Sequence, residues 1–404
     1  MLKKIQVRDL VMGMYIHEVC CSWMDNPFWH NSFLLTNKKD LGTFFDHRIK
    51  EVWIDTRKGV DTCNKTKIVL LEEENRQIDS TLAKIADQQP TFVQKVSLSE
   101  ELVKAQQILS NITKDAVIAF EGTRKGHPVN IEQLAGMVDQ LKGSILRNPD
   151  AILGLVRQKS ATNYDYIHLV GVSSLMMALG RQLDYDNETI KELGMAGFLL
   201  DIGKSLLPNQ IVHKTGKLTL EEFNLLKTHT QKGWEFLKLS KGISDIALDV
   251  CLHHHECIDG TGYPDQLAGD KIGTYARMAS ICDVYDAISS NRCYNSSWEP
   301  AESLRKMTEW KKGKFDDDIF GAFVKTIGIY PSGTLVKLKS GRLAVVVEQT
   351  ETSLLKPIVK AFFSTSTKVH VFPELIDLSR SSDTIIAKED PKSWGFDLMK
   401  IAYA

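Results

Sequence analysis

Residues 243–256 read ISDIALDVCLHHHE, and the rest of the chain can be read outward from this stretch. Ile243, Ile246, Ala247, Val250 and Cys251 recur at three- and four-residue steps, the period of a helix with one buried face. His254 follows Val250 by four residues and His255 follows Cys251 by four, so both imidazoles continue that buried face. Two adjacent imidazoles at the inward end of a helix are poor core residues unless something polar meets them. The stretch predicts a helical core with a polar site built into it.

Neighbouring segments carry compatible groups. YIHLVGVSSLMMALGRQL (166–183) has helical spacing in Ile167, Val170, Leu175, Met176 and Leu179 and places His168 inside that helix. LLDIGK (199–204) puts Asp201 where an apolar helix meets Gly203, with Lys204 beside it, and a carboxylate so placed is costly if unpaired. TLEEFNLLKTHTQKGWEFL (219–237) opens with Thr219 and Glu222 in capping-box spacing, and we expect a single helix carrying Phe223, Leu226, Thr230 and Trp234 inward and His229 along it. In SICDVYDAI (280–288) Asp283 and Asp286 are three apart and share one face of an otherwise apolar helix. Imidazoles and carboxylates without thiolates suit iron, manganese, zinc or nickel better than calcium. A carboxylate can bridge two such ions, and ions about 3.5–4 Å apart activate water at neutral pH and hold both oxygens of a phosphoryl displacement. The chemistry implied is metal-assisted phosphoester hydrolysis.

The 404 residues suffice for two or three domains. Lys and Arg total 50 against 51 Asp and Glu, a net charge of -1, which removes any bulk electrostatic argument for a nucleic-acid polymer. MLKKIQVRDLVMGMYI is broken by charge before an apolar leader can form, and no apolar run nears the roughly 18 residues of a membrane span, so a cytoplasmic chain is expected. Seven cysteines without CxxC spacing read as reduced thiols. The expected architecture is multi-domain: a small α+β module over 1–70, a helical linker over 71–130, a central all-α helical bundle over 131–325, and a β-rich tail over 326–404. The tail reading rests on SGTLVKLKSGRLAVVVEQ (332–349), two β-rich runs joined by Ser-Gly, followed by KPIVKAFFS and KVHVFPELIDL.

HHECIDGTGYPDQLAG (254–269), preceded by LLDIGK and followed by ICDVYDAISSNRCY (281–294), closely resembles the HD-GYP family of bacterial cyclic di-GMP phosphodiesterases. The likeness runs from Tyr164 to Tyr294, and IQVRDLVMGMYIHEV (5–19) with VWIDTRKG (52–59) resembles an N-terminal module fused to one branch of that family. The resemblance implies an HD-type bundle that binds divalent ions, iron or manganese, and opens cyclic di-GMP. Carried over by motif, His168, Asp201, His229, His254, His255 and Asp283 are metal ligands with Asp201 bridging, supported by Glu256 and Asp286. Lys204 stabilises the phosphoryl oxygens, Arg292 and Tyr263 hold substrate, and Asp259, Gly260, Gly262, Tyr263 and Pro264 form the signature loop.

One departure bears on activity: the residue before Asp201, which in the family is the histidine of the HD pair, is Leu200. The ion shared by His168, Asp201 and Asp283 then keeps three protein ligands. Tyr164 stands where some members carry a carboxylate for a third ion, so at most two ions are expected. Cys293 and Asn295 also replace a proline and a basic residue common in the family. Two functions follow from the resemblance: a phosphodiesterase for cyclic di-GMP or a related cyclic dinucleotide, reduced in activity by Leu200, or a degenerate nucleotide sensor or scaffold for diguanylate cyclases. A homodimer is the further expectation.

Overall fold

The computed structural model describes residues 1–20, 27–28, 32–47, 49–62, 69–86, 96–156, 164–214, 218–289, 298–350 and 353–403. Arg292, Cys293, Asn295, Thr215, Trp23, Trp29 and His30 therefore lie outside the described residues.

The first unit is an antiparallel sheet of β1 (Leu2–Gln6), β2 (Tyr15–Val19), β3 (Phe33–Leu34), β4 (Glu51–Asp55) and β5 (Val69–Leu70), ordered β3-β2-β4-β1-β5, with α1 (Lys38–Asp46) packed on it. Ile5, Ile16, Phe44, Val52 and Ile54 fill its small core. Phe28 joins Phe33 and Phe44 there, the core role ordinary for aromatics in a small module.

Two long helices follow, α2 (Leu71–Ala86) and α3 (Leu98–Arg124), the second opened by a Ser97–Glu100 capping box. Ile78, Leu82, Ala105, Ile112 and Phe120 are buried in the same cluster as the central bundle, so this segment supplies core as well as connection. The bundle comprises α4 (Ile131–Arg147), α5 (Pro149–Val156), α6 (Tyr164–Gln182), α7 (Asn187–Leu199), α8 (Asn209–Val212), α9 (Leu220–Lys227), α10 (His229–Lys238), α11 (Asp245–His253), α12 (Thr274–Ser289), α13 (Pro300–Trp310) and α14 (Asp317–Ile327). Asp316 caps α14 by accepting the backbone N–H groups of Asp318 and Ile319, which explains the acidic run at 316–318.

The single helix expected over 219–237 is corrected: it is two. The Thr219–Glu222 capping box opens α9, but the chain breaks at Thr228, whose hydroxyl turns back onto the Leu225 carbonyl. His229 is consequently the first residue of α10, where it is fully buried.

The tail forms a second antiparallel sheet, order β10-β6-β7-β8-β9, from β6 (Leu335–Leu338), β7 (Arg342–Glu348), β8 (Ile358–Ser364), β9 (Val369–Asp377) and β10 (Ile385–Lys388). The short helices α15 (Pro391–Trp394) and α16 (Leu398–Tyr403) close the chain, and Leu398 and Ala402 pack with Leu343, Val345 and Phe362 of the sheet.

Polar seams join the units. Glu309 of α13, buried, accepts Lys4 Nζ and Trp53 Nε1 at 3.0 Å each, while Lys306 Nζ lies 2.7 Å from Glu18. Burial opposes charge on Glu309, but Lys306 and Lys4 outweigh it and hold the carboxyl below its ordinary range. Glu309→Ala is expected to cost about 2 kcal/mol, short of the roughly 3–5 kcal/mol for breaking a fully buried pair, because Lys4 keeps Glu74 and Lys306 keeps Glu18. Urea unfolding checks this, and an unchanged midpoint would count against it.

At the other seam Asn148 Nδ2 donates to Glu348 Oε1 at 2.8 Å, and Asp150 accepts Ser332 Oγ and the Gln349 N–H at 2.9 and 3.0 Å. Burial, aided by Asp150, pushes the Glu348 carboxyl up to about 7 against the opposing pull of Asn148. The folded chain thus retains a proton that the unfolded chain releases near the ordinary value of 4.5. The stability this confers is complete below that value and is lost as pH rises through about 7. The melting temperature of Glu348→Gln relative to the native chain is expected to rise between about pH 5 and about pH 8 and then level off. A difference that stays constant across that range would exclude the linkage.

Candidate metal centre

Five backbone segments meet at one buried point. The end of α7 delivers Leu200 and then Asp201, which starts the 3-10 helix Ile202–Leu206 carrying Lys204. His168 comes from α6, His229 from the start of α10, His254 and His255 from the end of α11, and Asp283 from α12. Gly203 is what lets the 3-10 segment approach α10: a Cβ there would sit 1.9 Å from the His229 carbonyl oxygen.

Two groups of potential ligand atoms share Asp201. Asp201, His229, His254 and His255 form one, and His168, Asp201 and Asp283 the other, with the atoms of each within 4.8 Å of one another. His229 Nδ1 lies 2.7 Å from the Leu226 carbonyl and His254 Nδ1 2.9 Å from that of Val250. A carbonyl only accepts, so the proton sits on Nδ1 and each Nε2 turns a lone pair into the cluster. Those two Nε2 atoms, His255 Nε2, Asp201 Oδ1 and Asp283 Oδ2 are all buried without a hydrogen-bond partner. Five such acceptors facing one point are expensive in an apolar core, and a divalent cation is the species that satisfies imidazole and carboxylate lone pairs together. The residues therefore fit metal ions.

At the group of Asp201, His229, His254 and His255 the electrostatics agree with ligation. Burial would push the Asp201 carboxyl up, but Lys204, 2.5 Å from Oδ2, leads the opposing pull that holds it well below the ordinary range. Burial drives His229 and His255 down, and for His255 the neighbouring rings of His254 and His229 add to this, so both stay neutral as ligands must. His168 is gripped from both sides, Nδ1 2.6 Å from Asp286 and Nε2 3.0 Å from Asp283, and these carboxylates outweigh burial to raise it.

Leu200 is fully buried in the main core and offers no lone pair, so the second group has three side chains. The signature loop is pinned from beneath: Glu256 accepts the backbone N–H of Asp265 at 2.7 Å and of Leu267 at 3.1 Å. Gly262 lies so close to the chain below that a Cβ would come within 2.4 Å of Glu256 Cα, and the adjoining Tyr263–Pro264 peptide is cis. The Tyr263 ring centroid lies 4.8 Å from that of His255. Asp259 accepts Thr261 Oγ1 at 2.5 Å and meets Lys50 of the first unit at 3.6 Å, while Gly260 turns the loop at φ +75°. The remaining histidines of this region are otherwise engaged, His253 between Asp249 and Asp265 and His213 beside Asp165. Cys282 is fully buried next to Asp283 and its thiol is pushed up by burial, as befits a packing residue. Among the described residues no helix is long and apolar enough to cross a membrane.

Comparison with known proteins places these units in context. A family profile described as a domain of unknown function, DUF3391, matches residues 2–134, and one described as HD domain matches residues 142–319. A cyclic di-GMP phosphodiesterase of Pseudomonas aeruginosa is 43% identical over 98% of this chain and 94% of its own. A cyclic di-GMP phosphodiesterase response regulator of Xanthomonas campestris pv. campestris is 34% identical over 36% of this chain and 39% of its own. Among solved structures, an HDG"Y"P protein from Bdellovibrio bacteriovorus aligns over 81% of this chain and 98% of that chain, with a TM-score of 0.46 and 18% identity. Identity at the level of the Pseudomonas relative, over nearly the whole of both chains, makes this chain a member of the HD-GYP family of HD-domain phosphodiesterases.

Proposed function

We propose that the protein hydrolyses cyclic di-GMP, opening a ring phosphodiester with water, and that divalent ions held by the shared Asp201 cluster are required. The observation that carries this reading is the convergence of five buried, unpartnered lone-pair atoms on one point, in a chain whose full-length relative is named for that reaction. Bound iron or manganese, at most two ions, would supply the Lewis acidity that activates water and offsets charge on the phosphate. His229, His254 and His255 with Asp201 would hold one ion, and His168, Asp283 and Asp201 the other. Lys204, its ammonium beside Asp201 and a quarter exposed, is placed to offset charge on a phosphoryl oxygen as a point charge. Asp286 orients His168 from behind, the role outer hydrogen-bond partners play for imidazole ligands. Tyr263 lines the approach beside His255, and Arg292 would grip a substrate phosphate through its planar fork. Leu200 specifically favours a second reading, a chain that binds the nucleotide or a diguanylate cyclase without turning substrate over.

Metal content per chain, determined on protein purified without chelators, separates the two when paired with a cyclic di-GMP turnover assay in added iron or manganese. About two ions with turnover is the expected result. No bound ion and no turnover would leave the sensor or scaffold reading.

A further inference from the structure

The lysines on and beside these segments differ in one respect. Lys204 is neutralised by Asp201, Lys214 by Glu222 at 2.5 Å, and Lys50 meets Asp259 at 3.6 Å. Lys227, the last residue of α9 and half-buried, meets no carboxylate among the described residues. Its ammonium lies instead over two aromatic faces, 4.4 Å from the Phe223 ring centroid and 5.0 Å from that of Tyr263. Tyr263 is the ring set against the imidazole of His255, so Lys227 stands one aromatic ring away from the ligand cluster. Its position is fixed from behind as well: Phe223 is buried and touches the ring of His47 from the first unit at 5.5 Å.

A cation held on two π-faces keeps its charge while being partly stripped of water, an arrangement suited to an incoming anion. A cyclic dinucleotide brings two phosphates, and only one can occupy the ligand cluster at a time. We propose that Lys227 binds the other, non-reacting phosphate, making it a substrate-positioning residue that distinguishes cyclic dinucleotides from diesters with a single phosphate. The inference rests on the proposed phosphodiesterase function and deepens it.

The test uses the full chain with Lys227→Met, which keeps the apolar stem over both rings, and Lys227→Arg, which keeps the charge. KM and kcat are measured for cyclic di-GMP and for bis(4-nitrophenyl) phosphate, and cyclic di-GMP binding is measured by calorimetry. For Lys227→Met the KM and Kd for cyclic di-GMP should rise about tenfold or more, well beyond the change in kcat and beyond any effect on the single-phosphate diester. Lys227→Arg should recover most of the loss. Equal losses on both substrates, or an unmoved KM and Kd for cyclic di-GMP, would overturn the inference while leaving the phosphodiesterase reading intact. A native chain that hydrolyses the nitrophenyl diester but neither binds nor hydrolyses cyclic di-GMP would overturn both.

Discussion

Asp201→Asn is expected to strip the centre of its ions and to lower cyclic di-GMP turnover by at least about a thousandfold, the largest loss any single substitution should produce here. Asp201 is the only residue common to both candidate ligand groups, and its Oδ1 is one of the unpartnered buried atoms. Removing one outer partner of a metal ligand typically costs about 10–100-fold, and this change removes the charge that both groups share. Asparagine has nearly the same shape, so the fold should survive. It also relieves a carboxylate whose burial is offset chiefly by Lys204. The informative pair of measurements is ion content and melting temperature with and without added manganese. A variant that keeps two ions, or keeps its turnover, would show that Asp201 is not the shared ligand.

Leu200→His should act in the opposite direction. The group of His168, Asp201 and Asp283 has three side chains, and an imidazole at 200 would supply a fourth, raising affinity for that group's ion and turnover by about tenfold or more. The position is fully buried in the main core, so without metal the new polar ring costs about 1–3 kcal/mol. The variant should therefore melt below the native chain in chelator and gain more than the native chain when manganese is added. An unchanged ion count with an already measurable native rate would make the three-ligand group sufficient and remove the main support for a sensor or scaffold.

Much of this centre could be read before the fold was known, because its groups are fixed by local spacing. Val250 to His254 and Cys251 to His255 are one helical turn each, and Asp283 and Asp286 lie on one face of α12, where the structure has both reach His168. The ladder of Leu335–Lys337 against Leu343–Val345 was equally plain from two β-rich runs about a Ser-Gly turn. What local spacing could not report was contact across the chain. His229 owes its place at the start of α10 to a break at Thr228 that capping signals and apolar period did not mark. The Lys4, Trp53 and Glu309 seam joins residues 256 positions and more apart, and no window of sequence contains it. Lys227 carries no mark in the sequence, because its contact with Tyr263 exists only once the signature loop is folded. Glu256 sits beside two histidines in sequence, yet its carboxylate holds the loop backbone.

The Glu309 seam also limits how such a chain can be recombined. An HD domain transplanted behind a different leading module would arrive with a buried carboxylate that has lost its indole and one of its two ammonium partners, and with Lys306 deprived of Glu18. Trp53 in the donor would in turn face solvent with an apolar ring. The two halves are thus matched to each other, and a functional chimaera would need its crossover placed so that the first strands and α13 travel together.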